Sequence, residues 1–221
     1  MINYDKRAKT PTVGPPGTVA TKVTLSKQSP TVSLTKHGVL AGRMRVNLNW
    51  NAASAPTRGW RAVLGTSQGL DLDLGCLWEL TDGSKGVVQA LGNAFGSLER
   101  PPYIHLDGDD RSGSVAGGEN LFIDLNYAAQ IRRVLIFAYI YEGAPSWDQA
   151  RGVVTLSPAA GPPIEIHLDE NAGGARFCVV AQLVNSGSDL TVKREVNYIS
   201  GSQSTVDRAY GWGLNWSAGS K

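Results

Sequence analysis

Apolar and polar residues alternate with period two along much of this chain, and that alternation is the mark of half-buried β-strands. Met44-Arg45-Val46-Asn47-Leu48-Asn49-Trp50 is the clearest case. Met44, Val46, Leu48 and Trp50 are expected to share one face. Val23 and Leu25, then Val32 and Leu34, repeat the pattern more briefly. Residues 70–80, 85–92, 121–125, 152–156, 164–168, 176–184 and 190–197 read as further strands, those over 85–92 and 121–125 the weakest. Arg132 to Tyr141 contains a continuous apolar run, Val134 to Ile140, which predicts a strand buried on both faces. Helical periodicity is confined to Ser146–Arg151 and Val206–Trp212.

Turn signals separate the strands at fairly even intervals, among them Gly161-Pro162-Pro163, Asn171-Ala172-Gly173-Gly174 and Asn185-Ser186-Gly187. With 26 glycines and 11 prolines in 221 residues, turns are favoured over long helices. The expected fold is all-β: a two-sheet sandwich with long acidic, Gly-rich loops and at most short helices. Residues 1–20 are polar and broken by Pro11, Pro15 and Pro16, and they predict a flexible arm before one domain over 21–221. Asn51–Trp60 and Glu99–Gly118 read as loops, and no internal repeat is visible.

A net charge of +2 makes no demand for a nucleic-acid partner, and none is expected. No apolar run reaches the roughly 18 residues of a membrane span. The first residues lack an apolar core of the kind a signal peptide has. Cys76 and Cys178 are far apart in apolar runs, so two buried free thiols in a reducing cytoplasm are expected.

Acidic residues are scarce but gathered. Asp71 and Asp73 lie two apart in a strand and so point to one face. Asp107, Asp109, Asp110 and Glu119 lie in or beside a glycine-rich loop with Gly108, Gly113, Gly117 and Gly118, and Asp124 follows. Like charges at close range repel, and a hard divalent cation relieves them. Calcium takes six to eight oxygen ligands of this kind. The competing reading of Asp71 and Asp73 is a solvated sheet edge. The loop does not have EF-hand spacing, and zinc lacks thiols or paired imidazoles here. His105 reads as a strand-end histidine bonded to backbone more readily than as a general base. No nucleophile elbow, P-loop or dinucleotide fingerprint is present. The six tryptophans read chiefly as core. Trp147, Trp212 and Trp216, near turns and the C-terminal end, are the ones placed for a sugar or protein contact.

Several stretches, in order, resemble the TerD family of tellurium-resistance and stress-response proteins, its TerA-like members in particular. They are Val32–Lys36, Val46–Trp50, Asp71-Leu72-Asp73, Leu106–Gly113, Gly118–Leu121, Ile131–Phe137 and Tyr141-Glu142-Gly143. The resemblance implies a calcium-binding β-sandwich without catalytic activity. It also implies a bacterial cytoplasmic protein working with others in a stress-resistance complex, some relatives lying at the inner-membrane face. Asp71 and Asp73 match the family's Asp-x-Asp pair, Asp109 and Asp110 its Gly-Asp-Asn/Asp element, and Glu119 its closing glutamate. Many relatives carry two aspartates where this chain has Gly117 and Gly118, which implies one good calcium site and a weaker second. The alternatives are a C2-like membrane binder, with Arg111 beside the ion loop, and a metal-dependent hydrolase using His105, Asp109 and Asp110.

Overall fold

The computed structural model describes residues 21–38, 41–50, 70–108, 118–143 and 147–216. The expected arm at 1–20 and the loop at 51–60 lie outside the described residues. Thirteen strands are described: β1 Val23–Thr24, β2 Thr31–Ser33, β3 Arg43–Asn49, β4 Asp71–Leu80, β5 Lys85–Val88, β6 Gly96–Ser97, β7 Ile104–Leu106, β8 Glu119–Asp124, β9 Ile131–Glu142, β10 Gly152–Ser157, β11 Ile164–Leu168, β12 Phe177–Asn185 and β13 Leu190–Ile199. They make two sheets, a seven-stranded one in the order β1-β11-β10-β3-β8-β7-β6 and a six-stranded one in the order β2-β13-β12-β9-β4-β5. The sandwich expected from alternation is the fold observed.

Met44, Val46 and Leu48 are fully buried between the sheets, as their spacing requires. Leu121 and Ile123 of β8 and Val154 and Leu156 of β10 join them. Against them the six-stranded sheet sets Leu72, Leu74, Cys76, Val134, Ile136 and Val180. Trp50 ends just past β3, packs on this core and donates its indole N–H to the Leu70 carbonyl at 3.0 Å. The twelve-residue β9 is buried on both faces because its other side, Leu135, Phe137 and Tyr139, also lies under cover.

That cover comes from the C-terminal segment. Helix α2, Gln203–Tyr210, brings Val206 onto the outer face of the six-stranded sheet. Trp212 follows it, fully buried among Leu77, Leu135, Phe137, Tyr139, Phe177 and Val179. Its indole N–H reaches the Trp78 carbonyl at 3.1 Å. Helix α1, Trp147–Ala150, is a single turn that buries Trp147. Two of the three tryptophans considered for outside contacts are thus core residues. The stretch 99–118, expected to be loop, contributes β7, whose Ile104 and Leu106 are too apolar to leave in solvent. Among the described residues no helix is long and apolar enough to cross a membrane.

Candidate functional site

Three of the carboxylates singled out in the sequence are buried at one end of the sandwich. Asp71 and Asp73 open β4, with 7% and 0% of their surface exposed, and Glu119, at 2%, opens β8 in the opposite sheet. The solvated-edge reading of the Asp pair does not hold. Leu72 and Leu74 face the core between the sheets, so alternation turns Asp71 and Asp73 to the outer side, where Asp73 stands opposite Tyr139 of β9.

Glu119 points inward with Leu121 and Ile123. Its Oε2 accepts the Leu74 backbone N–H at 2.5 Å. The local topology explains why. β5 pairs with β4 only over Cys76–Glu79, so the Asp71–Gly75 stretch has one edge that no described strand covers. A buried amide needs an acceptor, and the Glu119 carboxylate from the other sheet supplies it. This contact ties the sheets together at the peptide that joins Asp73 to Leu74.

Asp107 joins the same end from β7. Its backbone N–H meets the Asn120 carbonyl at 2.8 Å, and its side chain is exposed. Asp109, Asp110 and Gly117 lie outside the described residues. Among the described residues no three His, Cys, Asp or Glu side chains close around a single point as metal ligands do. The donors at this end are oxygens only, the chemistry a calcium ion takes.

Asp124 belongs elsewhere. It caps the 3-10 turn over 125–130, accepting from the Asn126 backbone N–H at 3.0 Å and the Asn126 side chain at 2.8 Å. Gly118 has a structural reason to be glycine. Its φ is +60°, and a Cβ there would lie 2.1 Å from the Leu48 carbonyl oxygen. A side chain fits neither the backbone conformation nor the space. The His105 ring contacts the Phe95 carbonyl at 3.1 Å, the backbone-bonded role expected of it. Cys76 and Cys178 are buried free thiols. Burial pushes both far up, so neither supplies a thiolate near neutrality.

A second group of residues escaped the sequence reading. On the outer face of the seven-stranded sheet, Arg43, Arg45, Asn47 and Asn49 alternate outward from β3. The Asn47 amide donates to the Asn120 side chain on β8 at 3.0 Å. Beside them is a cleft of about 420 Å³ lined by Asn47, Asn49, Trp50, Arg151, Val153 and Thr155. The signal was available in the polar half of the β3 alternation, which carries two arginines where a strand face needs only solubility.

No family model matches the chain. It is 46% identical over 200 residues to the tellurium resistance protein TerA of an Alcaligenes species, a match that covers 90% of this chain and 58% of the relative. The chain therefore spans a little under six tenths of the length of the curated relative it matches. Two crystal structures share the fold. The protein of unknown function SAV2460 superposes with a TM-score of 0.53 at 16% identity, over 77% of this chain and 97% of that one. A homologue of the telluride resistance protein TerD from Streptomyces coelicolor A3(2) gives 0.50 at 19% identity, over 75% and 94%. At such identities these two speak for the sandwich alone.

Proposed function

The chain belongs to the TerD family of tellurium-resistance proteins as a TerA-like member, and from that premise we propose that it is a calcium-stabilised, non-enzymatic interaction scaffold in a bacterial stress or tellurite-resistance system. Asp71 and Asp73 on the outer side of β4 and Glu119 on its inner side would have to close on one point to hold the ion, with Asp107, Asp109 and Asp110 from the acidic loop. The observation that carries this reading is the burial of three carboxylates at the starts of β4 and β8, which the Leu74–Glu119 hydrogen bond joins. Carboxylates removed from water are held by hydrogen bonds, paired charge or metal. Glu119 gives one oxygen to Leu74.

When bound, calcium supplies charge neutralisation and cross-linking to oxygen ligands, with little power to activate water. The protein's own part is positional. The β4 strand fixes the Asp pair on one face, and the Leu74–Glu119 contact fixes the second sheet beside it. Loss of the ion would set carboxylate against carboxylate and loosen the loop that follows Asp107. With the ion bound, the ordered end of the sandwich would present a surface to partner proteins of the resistance system, in the cytoplasm or at the inner-membrane face.

Calcium titrated calorimetrically into chelator-stripped protein, with magnesium as control, tests the reading. Selective binding that Asp73→Asn abolishes is expected. Absence of binding up to millimolar calcium would overturn it.

A further inference from the structure

Most of the described arginines off one face of the molecule have a partner. Arg132 and Arg133 pair with Glu79 at 2.8 and 2.6 Å. Arg176 donates to the Ile140, Tyr141 and Gly143 carbonyls. Arg194 meets Glu170 at 3.0 Å, and Arg208 donates to Thr205. The side chains of Arg43, Arg45 and Arg151 are exposed and have no hydrogen bond or ion pair among the described residues, a state that the Arg100 side chain alone shares among the described arginines. All three stand on the outer face of the seven-stranded sheet, around the Asn47–Asn120 amide pair and the cleft beside Trp50.

We propose that this face is the docking surface for an extended, carboxylate-rich segment of a partner protein. The inference rests on the scaffold reading above, and it names where the partner sits and what chemistry it brings. Arg43 and Arg45 are two residues apart on one strand. Carboxylates at i and i+2 of an extended segment have the same repeat, about 7 Å. Val153 is level with Asn49, so Arg151 lies two residues further along, beyond the end of β3. The three guanidinium groups therefore bracket a strip roughly 25 Å long, which about eight extended residues cover. Between them Asn47, Asn49 and Thr155 offer neutral hydrogen-bonding groups to a backbone. Guanidinium forks match carboxylates in both charge and geometry, and arginine with tryptophan is typical of the residues that dominate interfaces.

A nucleic acid is the less fitting occupant. Stacking platforms need open aromatic faces, whereas Phe122 and Trp50 are half-buried here.

Fluorescence anisotropy of the full chain with a labelled peptide of alternating Glu and Ser, about ten residues long, tests this. An oligo-dT of equal charge runs in parallel. The peptide is expected to bind, less tightly as salt rises. Arg43→Gln/Arg45→Gln/Arg151→Gln should weaken it roughly tenfold or more. A charge-matched variant off the face, Arg132→Gln/Lys193→Gln/Arg208→Gln, should bind nearly as the native chain does. Equal losses in the two triple variants, preference for oligo-dT, or failure of the native chain to take the peptide would each overturn the proposal. The calcium titration separates this inference from the site reading. A chain that takes peptide but no calcium removes the calcium site and leaves this face standing, and a chain that takes calcium but no peptide does the reverse.

Discussion

The two outer faces of the sandwich have opposite fates. On the six-stranded sheet the outward side chains are Leu77, Leu135, Phe137, Tyr139, Phe177 and Val179, and α2 with the segment after it closes over them. On the seven-stranded sheet the outward side chains of β3 are arginine and asparagine, and they stay at the surface. Arginines occur on both sheets but do different things. On the covered side Arg133 is held by Glu79, donates to the Tyr210 and Gly211 carbonyls, and stacks on the Trp212 ring 3.8 Å from its centre. It works as a clasp for the C-terminal cover. On the open side the guanidinium groups are left available. A sandwich needs only its inner faces to fold, so what each outer face carries shows what else it is for.

The clasp is the place to break the covered side. Trp212→Ala would remove the largest side chain of the outer cluster and the ring under Arg133. It is expected to cost about 3–5 kcal/mol, as buried aromatic truncations do, and urea denaturation would read the loss. Arg133→Gln should cost less but leave Glu79 with one partner fewer, and Glu79 is only 6% exposed. If neither variant changes the midpoint, the cover is not part of the cooperative fold.

Gly118→Asp sharpens the picture at the calcium end. Adding a carboxylate to a binding loop should, by charge count alone, tighten calcium. The structure argues the other way. The new Cβ would lie 2.1 Å from the Leu48 carbonyl oxygen, on a backbone with φ of +60°. The expected outcome is a stability loss of about 1–3 kcal/mol and no gain in calcium affinity by calorimetry. A tighter site in a stable variant would show that the β3–β8 junction can give way.

Most of the framework was legible because it follows from period-two alternation and turn residues. Met44, Val46 and Leu48 could face only inward, and the unbroken apolar run in β9 could be explained only by cover on both sides. Three things were not legible. β7 has just three residues between turn-rich neighbours, too short for alternation to register. The contact between Glu119 and Leu74 joins positions 45 apart in sequence, and it exists because β5 stops short of the start of β4. The acidic residues were found by composition, but their burial depends on which strand ends meet, and that is a property of topology. The arginine strip was passed over because polar positions on a strand are ordinarily read as the solvent side.

On the open face the stability effects should be small, and that itself is diagnostic. Arg43→Gln and Arg45→Gln are expected to move the denaturation midpoint by no more than about 0.5 kcal/mol each, as surface changes without partners do. Combined with Arg151→Gln, the same changes should weaken acidic-peptide binding roughly tenfold or more. Large destabilisation would mean that these arginines hold the fold together as Arg133 does, and the contrast between the faces would collapse.

The weakest expected effect lies at the far edge of the open sheet. β1 is two residues long and pairs in parallel with β11 through Val23 and Thr24. Its neighbouring chain is pinned by ion pairs, Lys22 to Glu165 at 2.8 Å and Lys27 to Glu170 at 2.9 Å. The Lys22 and Lys27 ammonium groups hold the two carboxyls below the usual glutamate range, aided by His167 and Arg194. A carboxyl with a lowered folded-state pKa stabilises the fold above its unfolded value of about 4.3, and that contribution is lost as pH falls through the folded value. The pairs are partly exposed, so screening keeps each within about 1 kcal/mol. The protection factors of the Val23 and Leu25 amides, which bond to the Pro163 and Glu165 carbonyls, should therefore fall below about pH 4 while those of the β9 amides hold. High salt at neutral pH should reproduce part of the effect. Loss of protection at β1 and β9 together would mean that the edge is no separate unit, and that the open sheet unravels only with the whole sandwich.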